Sequence, residues 1–343
     1  MTSIYSLTPT KAAEYLEENG FKASQADNIF KDIYDLGACS FEEMKNTAKE
    51  LIKALNKYFF FEEFICEEIS DSDSTVKYLF KLSDGNYIET VLMRQEFGNS
   101  LCISTQSGCN MGCKFCCSGK LKKLRDLTVS EMIMQVLYIE RAQNIKISNI
   151  TVMGIGEPFD NYDNLCGFLD IASYGYGLGI GTKHITVSTC GIVPKIYEFA
   201  ERKNPCNLAI SLHAPDNDTR NTLMPINKKY PIEELIKAAK HFSEKCNRKV
   251  LLEYIMLDGI NDSKEQAKKL SKLIDDAWLF VNLIPYNPSK EDNFRRSDED
   301  SIRAFYDVLK KHNIGVTRRR EFGGDLNAAC GQLRSDRIKK DGE

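Results

Sequence analysis

Residues Leu101-Cys-Ile-Ser-Thr-Gln-Ser-Gly-Cys109-Asn-Met-Gly-Cys113-Lys-Phe-Cys116 run a strand pattern directly into a set of thiols. Apolar and polar residues alternate through Leu101–Thr105, the period of a strand with one buried face. Three cysteines follow in the spacing C-x3-C-x2-C, and such a loop can wrap three sulfurs around one small centre. A four-iron cluster normally takes four thiolates, so three would leave one iron open to a non-protein ligand. A structural zinc site is the alternative, but it needs a nearby fourth ligand, and no His lies within 60 residues of the triplet. Cys117 adjoins the triplet; the spacing favours Cys116 as the third ligand.

Working outward, strand candidates recur at Ile150–Met153, His184–Ser188, Leu208–Leu212, Val250–Met256 and Phe280–Ile284, with helical segments between them. Six strands alternating with helices imply a parallel sheet, and an open or partial (β/α)6 barrel suits the pattern. Thr128-Val-Ser-Glu131 is a capping box for a helix ending near Gln143. Pro231 fits the first position of a further helix, and Asp262-x-x-Glu265 opens another. A last helix, about Glu299–His312, leads to a strand at Ile314–Arg319 and a Gly-rich loop. Upstream, residues 1–57 read as a small helical domain. One helix runs from near Thr10 to Gly20, Ser24-x-x-Asp27 opens a second, and Ser40-Phe-Glu-Glu43 is a capping box for a third. Residues 58–100 read as a β extension with segments at Phe60–Ile65, Val76–Leu82 and Tyr87–Met93, the last two joined by an Asp84-Gly85 turn. The expected divisions are 1–57, 58–100, a barrel over 101–295, and 296–343.

The chain has 343 residues, is 42% hydrophobic and carries 12 Cys. That length suits about two domains, and the composition excludes a disordered scaffold. No apolar run approaches the roughly 18 residues of a membrane helix, and residues 1–10 show no signal-peptide pattern. Twelve cysteines in a long chain of this kind point to reduced thiols in the cytoplasm rather than to a disulfide scaffold. The net charge of −3 hides an asymmetry: residues 1–100 hold 10 Lys+Arg and 18 Asp+Glu, residues 101–343 hold 36 and 31. Two basic clusters, Lys120, Lys122, Lys123 and Arg125, and Arg318, Arg319 and Arg320, suit phosphate contacts of an RNA.

Other elements carry weaker signals by themselves. Gly154-Ile-Gly156-Glu157-Pro158 lets backbone approach a ligand and offers a carboxylate to a cation. Ser188, Ser211 and His213 lie at strand C-termini, where barrel sites form. Cys330, between Ala329 and Gly331, reads as a small buried residue. Cys102 reads as a core thiol and Glu89 as a strand carboxylate. Cys39, Cys66, Cys117, Cys166, Cys190, Cys206 and Cys246 show no ligand spacing and read as buried or incidental thiols.

The C-x3-C-x-Phe-C loop after a first barrel strand resembles the radical S-adenosylmethionine (SAM) superfamily. Leu101–Cys109, Met153–Pro158, Ser211-Leu-His-Ala-Pro215 and Asp325-Leu-Asn-Ala-Ala-Cys-Gly-Gln-Leu333 narrow the match to the RlmN/Cfr family of RNA adenine methyltransferases, over about Glu89 to Leu333. The resemblance implies a [4Fe-4S] cluster on Cys109, Cys113 and Cys116, whose open iron chelates SAM. It implies SAM contacts from Gly156, Glu157, Ser188, Ser211, Leu212, His213 and Asn287. It makes Cys330 the methyl carrier: one SAM methylates its sulfur, and a second gives the radical that activates the S-methyl group for attack on an adenine ring carbon. Cys102 then resolves the RNA adduct as a disulfide with Cys330, and Glu89 accepts the proton. Two SAM molecules are consumed per turnover. The implied substrates are 23S rRNA and tRNA, and the implied electron donor is a flavodoxin or ferredoxin; a monomer is expected. The segments His184–Gly191 and Pro158–Asp163 favour methylation at adenine carbon 2, with the Cfr-type carbon 8, which gives antibiotic resistance, as the alternative. A non-catalytic, zinc-stabilised RNA-binding protein is the competing class.

Overall fold

The computed structural model describes residues 1–72, 75–120, 122–274, 278–288 and 293–319. Its centre is a ten-stranded sheet: β1 Ile65–Ser72, β2 Thr75–Lys81, β3 Tyr87–Gln95, β4 Gly98–Cys102, β5 Ile147–Val152, β6 Ile185–Thr189, β7 Asn207–Ser211, β8 Val250–Met256, β9 Leu279–Pro285 and β10 Gly315–Arg318. The strands lie side by side in chain order. β1 to β4 pair antiparallel, and β4 to β10 pair parallel. The expected six parallel strands are present. The strand expected near Ile314–Arg319 joins them as a seventh, continuing the same sheet beyond β9.

Helices connect the parallel strands. They are numbered with three N-terminal ones: α1 Pro9–Glu18, α2 Ala26–Phe30, α3 Lys49–Leu55, α4 Val129–Gln143, α5 Tyr162–Ser173, α6 Val193–Ala200, α7 Asn217–Leu223, α8 Ile232–Cys246, α9 Lys264–Leu273 and α10 Glu299–Lys311. The Thr128 capping box forms as expected: Thr128 Oγ1 accepts from Glu131 N, and the Glu131 carboxylate accepts from Thr128 N at 2.9 Å. Other helix starts differ, Ser24 among them: it lies in a 3-10 turn, and α2 begins at Ala26 without a side-chain cap. Ser40 caps nothing; Glu43 accepts instead from Cys39 N, and residues 41–43 make only a short 3-10 turn. The segment that follows is organised by the fully buried Asp32 carboxylate, which collects the backbone N–H groups of Lys45, Asn46 and Thr47. The helix expected from Asp262 is capped by Ser263, because Asp262 turns inward to Ser297 Oγ at 2.7 Å. Pro231 is the N-cap residue of α8 rather than its first helical residue.

Alternation decides which face each strand buries. Ile150 and Val152, Val187, Leu208 and Ile210, Leu252 and Tyr254, and Val281 and Leu283 point to the helix layer and are at most 1% exposed. Each such side chain contributes about 1.5–3 kcal/mol of burial free energy. α4 is covered on both sides. Gln135 bonds Thr90 and Ser104 on the sheet side, and Ser130 meets Ser3 and Ser6 of the N-terminal segment. The opposite face of the parallel strands is polar and half-buried: Thr151, Thr186, Ser188 and Ser211 alternate with the apolar positions. Among the described residues the sheet has two edge strands, β1 and β10, and no hydrogen-bonded closure between them.

Candidate active site

The loops that carry the expected site residues all emerge at the C-terminal ends of the parallel strands. Ligands of open α/β sheets bind at that edge. The thiol loop follows β4, Gly154–Pro158 follows β5, Ser188 ends β6, Ser211–His213 ends β7, and the exposed Asn287 follows β9. Two of these loops are welded together. Gly154 N donates to Ile103 O at 3.0 Å, and Thr105 N donates to Ile155 O at 2.9 Å. Gly156 has φ +111°, and a Cβ there would stand 2.6 Å from Gln106 Cβ. Only glycine allows this approach.

The thiol loop folds back on itself. Cys116 N donates to Cys113 O at 3.1 Å and Gly119 N to Cys116 O at 3.1 Å, while Lys114 N reaches Leu223 O of α7 at 3.0 Å. Burial pushes the Cys109 thiol up to about 12, and repulsion from Cys116 adds to it. Burial and the other two sulfurs also raise Cys113, and burial raises Cys116. All three thiols are unpaired by disulfides. Buried, mutually repelling thiols fit a highly cationic centre, which supplies the charge that lets them ionise. Among the described residues no three His, Cys, Asp or Glu side chains are grouped to hold a single metal ion; an iron–sulfur cluster keeps its sulfur ligands several ångströms apart.

Glu157 is 3% exposed and is enclosed by donors: Thr189 Oγ1 and Cys190 N at 2.7 Å each, and Phe159 N at 3.0 Å. Its carboxylate therefore pins the β5 loop to the end of β6, while burial raises its pKa against those hydrogen bonds. His213 sits in the left-handed region, φ +58°. Its Nδ1 accepts from Ile255 N at 3.1 Å, and its ring meets Phe115 of the thiol loop edge-on at 4.8 Å. Burial, then the charge of Arg220, hold its pKa down at about 3. The imidazole is neutral, and accepting at Nδ1 leaves Nε2–H as its donor.

On the polar face of the sheet, Glu89 and Cys102 lie on the same side of adjacent strands. Cys102 pairs with Val91, two residues along from Glu89. Burial raises the Cys102 thiol, Thr151 and Arg319 oppose that rise, and the Glu89 carboxylate adds to it. Glu89 is 2% exposed. Cys330 and Arg320 lie outside the described residues.

Several residues around the site carried no expectation. Glu253, Asn282 and Thr317 form one row across β7 to β10 with the expected Ser211. Asn282 donates to Glu253 at 2.9 Å and accepts from Thr317 at 3.2 Å. A Glu inside the apolar run Val250–Met256 was the available signal. Cys190, read as incidental, lends its peptide to the Glu157 cage; its thiol is buried and raised well above the ordinary range by that burial. Arg220 is fully buried beside it, and no local pattern marks it. The basic clusters change meaning. Lys123 pairs with Asp126 and Asp160 at 2.8 Å, Arg125 with Asp84 and Glu131, and Arg318 with Glu299. Lys123, Arg125 and Arg318 are thus paired with carboxylates of the same chain, while Lys122 and Arg319 are exposed. Among the described residues no helix is long and apolar enough to cross a membrane.

Residues 103–271 match the model of the radical SAM superfamily. A relative from Listeria welshimeri, named "probable dual-specificity RNA methyltransferase RlmN", is 49% identical over 352 residues, covering 99% of this chain and 95% of its own. The chain belongs to the RlmN family. A relative of the same name from Streptococcus sanguinis is 48% identical and is covered over 97% of its length. The crystal structure of a radical SAM methyltransferase from Sphaerobacter thermophilus superposes with a TM-score of 0.89 at 36% identity, over 97% of this chain and 99% of that one. The RlmN-family fold is thus the expected radical SAM α/β architecture with its parallel sheet. The protein is a SAM-dependent RNA methyltransferase, and its family implies a [4Fe-4S] cluster and SAM. The competing class, a non-catalytic zinc-stabilised binder, is set aside by that membership.

Proposed function

We propose that the protein methylates carbon 2 of an adenine in 23S rRNA and of an adenine in tRNA, with Cys330 as the methyl carrier. The observation that carries this reading is that Glu89 and Cys102 share one face of adjacent strands, within electrostatic range of each other. An enzyme transferring methyl groups directly from SAM needs neither a resolving thiol nor a carboxylate beside it.

In this reading Cys109, Cys113 and Cys116 hold the cluster, and Gly156, Glu157, Ser188, Ser211, Leu212, His213 and Asn287 surround SAM. When bound, the cluster supplies the electron that splits SAM reductively. The close Gly156–Gln106 approach would hold the loop after β5 against the thiol-bearing strand, and His213, accepting at Nδ1, would offer Nε2–H as a donor. The radical adduct must lose one electron, which returns to the oxidised cluster, and Glu89 takes the proton lost from the adenine ring carbon. Cys102 then forms an S–S bond to Cys330 as the sulfur–carbon bond to RNA breaks. The bond's electron pair stays with the carbon, which gains a proton to become the methyl group. The raised thiol of Cys102 needs a base or a cation to ionise, and Arg319 is the cation that favours its charged form. An external flavodoxin or ferredoxin supplies electrons, and the enzyme acts as a monomer in the cytoplasm.

The test is mass spectrometry of nucleosides from 23S rRNA and tRNA treated with reconstituted enzyme, reductant and SAM. The expected product is 2-methyladenosine in both. Finding only 8-methyladenosine overturns the carbon assignment in favour of the Cfr-type reaction; product in rRNA alone overturns the second substrate.

A further inference from the structure

We infer that Arg220 is a fixed countercharge for the iron–sulfur cluster, a positioning residue that favours the reduced state. The inference rests on the reading that Cys109, Cys113 and Cys116 hold the cluster.

Arg220, on α7, is 0% exposed. Its guanidinium donates to neutral oxygens: Nε to Leu212 O at 3.1 Å, Nη1 to Asn227 Oδ1 at 3.0 Å, and Nη2 to Cys190 O at 2.7 Å and Ser211 O at 3.0 Å. Among the described residues its hydrogen bonds are met, while no carboxylate forms an ion pair with it. A buried cation in that state is costly, so a site that keeps one has a use for the charge.

The position says what use. α7 ends at Leu223, whose carbonyl accepts from Lys114 of the thiol loop. Met111, Cys113 and Phe115 pack with Cys190, Leu223 and Met224 in one small apolar cluster. Arg220 lies within electrostatic range of Cys113. The fixed anion nearby, Glu157, is tied to the same residue by its other backbone group: Cys190 N donates to Glu157 at 2.7 Å, while Cys190 O accepts from Arg220. Each charge is thus held by the backbone of Cys190, and no ion pair between them is formed among the described residues. A cluster on three thiolates is anionic and gains another negative charge when an external one-electron donor reduces it. A cation fixed in apolar surroundings stabilises the more negative state with little screening.

The same hydrogen bonds also tie the ends of β6 and β7, so the test must separate charge from stapling. The full chain is reconstituted anaerobically with iron and sulfide, and the cluster's midpoint potential is read by redox titration with electron paramagnetic resonance. In Arg220→Gln the reduced-to-oxidised ratio at a fixed potential should fall about tenfold, 59 mV for one electron. Arg220→Lys, which keeps the charge and loses the fork, should recover most of that shift. An unchanged midpoint in Arg220→Gln at full iron loading overturns the inference and leaves Arg220 a staple. If Arg220→Gln does not hold its cluster, Asn227→Asp sets a carboxylate against Nη1 and should lower the midpoint likewise; an unchanged value there also overturns it. Wild-type protein without iron and without a cluster signal would instead sink the underlying cluster reading.

Discussion

Arg125 and Arg220 flank the same loop and end up in opposite electrostatic states. Arg125 follows the thiols by nine residues. It meets Glu131 through two bonds of 2.7 and 2.8 Å and also touches Asp84. It thereby joins the β2–β3 turn to the capping box of α4, and both its donors and its charge are matched. Arg220 donates to backbone and amide oxygens alone. Satisfying hydrogen bonds and satisfying charge are separate requirements. The arginine that meets both is architecture, and the one that meets only the first keeps a field to lend to a ligand.

Removing the proposed chemistry should have the largest effect. Cys102→Ala should abolish turnover and accumulate a covalent protein–RNA adduct, seen as a shifted band on a denaturing gel. Cys330→Ala should form no adduct. Normal turnover by Cys102→Ala would refute the resolving role. Next comes the burial of His213, to which Arg220's charge adds. His213 is held near 3 in the fold against an ordinary 6.5, so the unfolded chain binds a proton that the native protein refuses. The stability tied to His213 is complete above about pH 6.5. It falls as pH drops from there toward 3, with a slope up to about 1.4 kcal/mol per pH unit. Thermal melts of the metal-free protein should show a shallower acid loss in His213→Gln, and equal slopes would contradict it.

Arg125→Met should strand Glu131, whose side chain is 4% exposed, and cost about 1–3 kcal/mol by denaturant unfolding. The cluster midpoint should not move, and a shift like that expected for Arg220 would erase the contrast between the two arginines. The smallest effect is Thr128→Ala, about 1 kcal/mol from the lost cap, with methylation unchanged once the protein is folded.

How far the residues alone could lead follows the range of the forces involved. Strand alternation and the Thr128 box are local, and both were readable. Ser40–Glu43 shows the same local pattern as Thr128–Glu131, yet Asp32, thirteen to fifteen residues away in sequence, captured the backbone there instead. The thiol spacing was readable because its chemistry is packed into eight residues. Arg220 was not, since its partners arrive from β6, β7 and the turn after α7. The basic run 120–125 was readable only in part. Its charge is visible in sequence, and so are the local carboxylates Asp126 and Glu131, but Asp84 and Asp160, which also pair with Arg125 and Lys123, come from distant segments.

The order of the sheet has a consequence for how the molecule comes into being. Each strand from β2 to β10 docks on the strand made just before it. A chain emerging from the ribosome could therefore lay down the sheet one strand at a time, never waiting for a distant partner. Each parallel addition still needs its whole crossover helix to be synthesised first, which sets a slow and stepwise tempo. Until the next strand arrives, the growing edge is bare and open to mispairing. Thiols 109–116 are made early, beside β4, while the strands β7 to β9 that complete their surroundings come later. Insertion of metal would then follow assembly of the sheet rather than guide it.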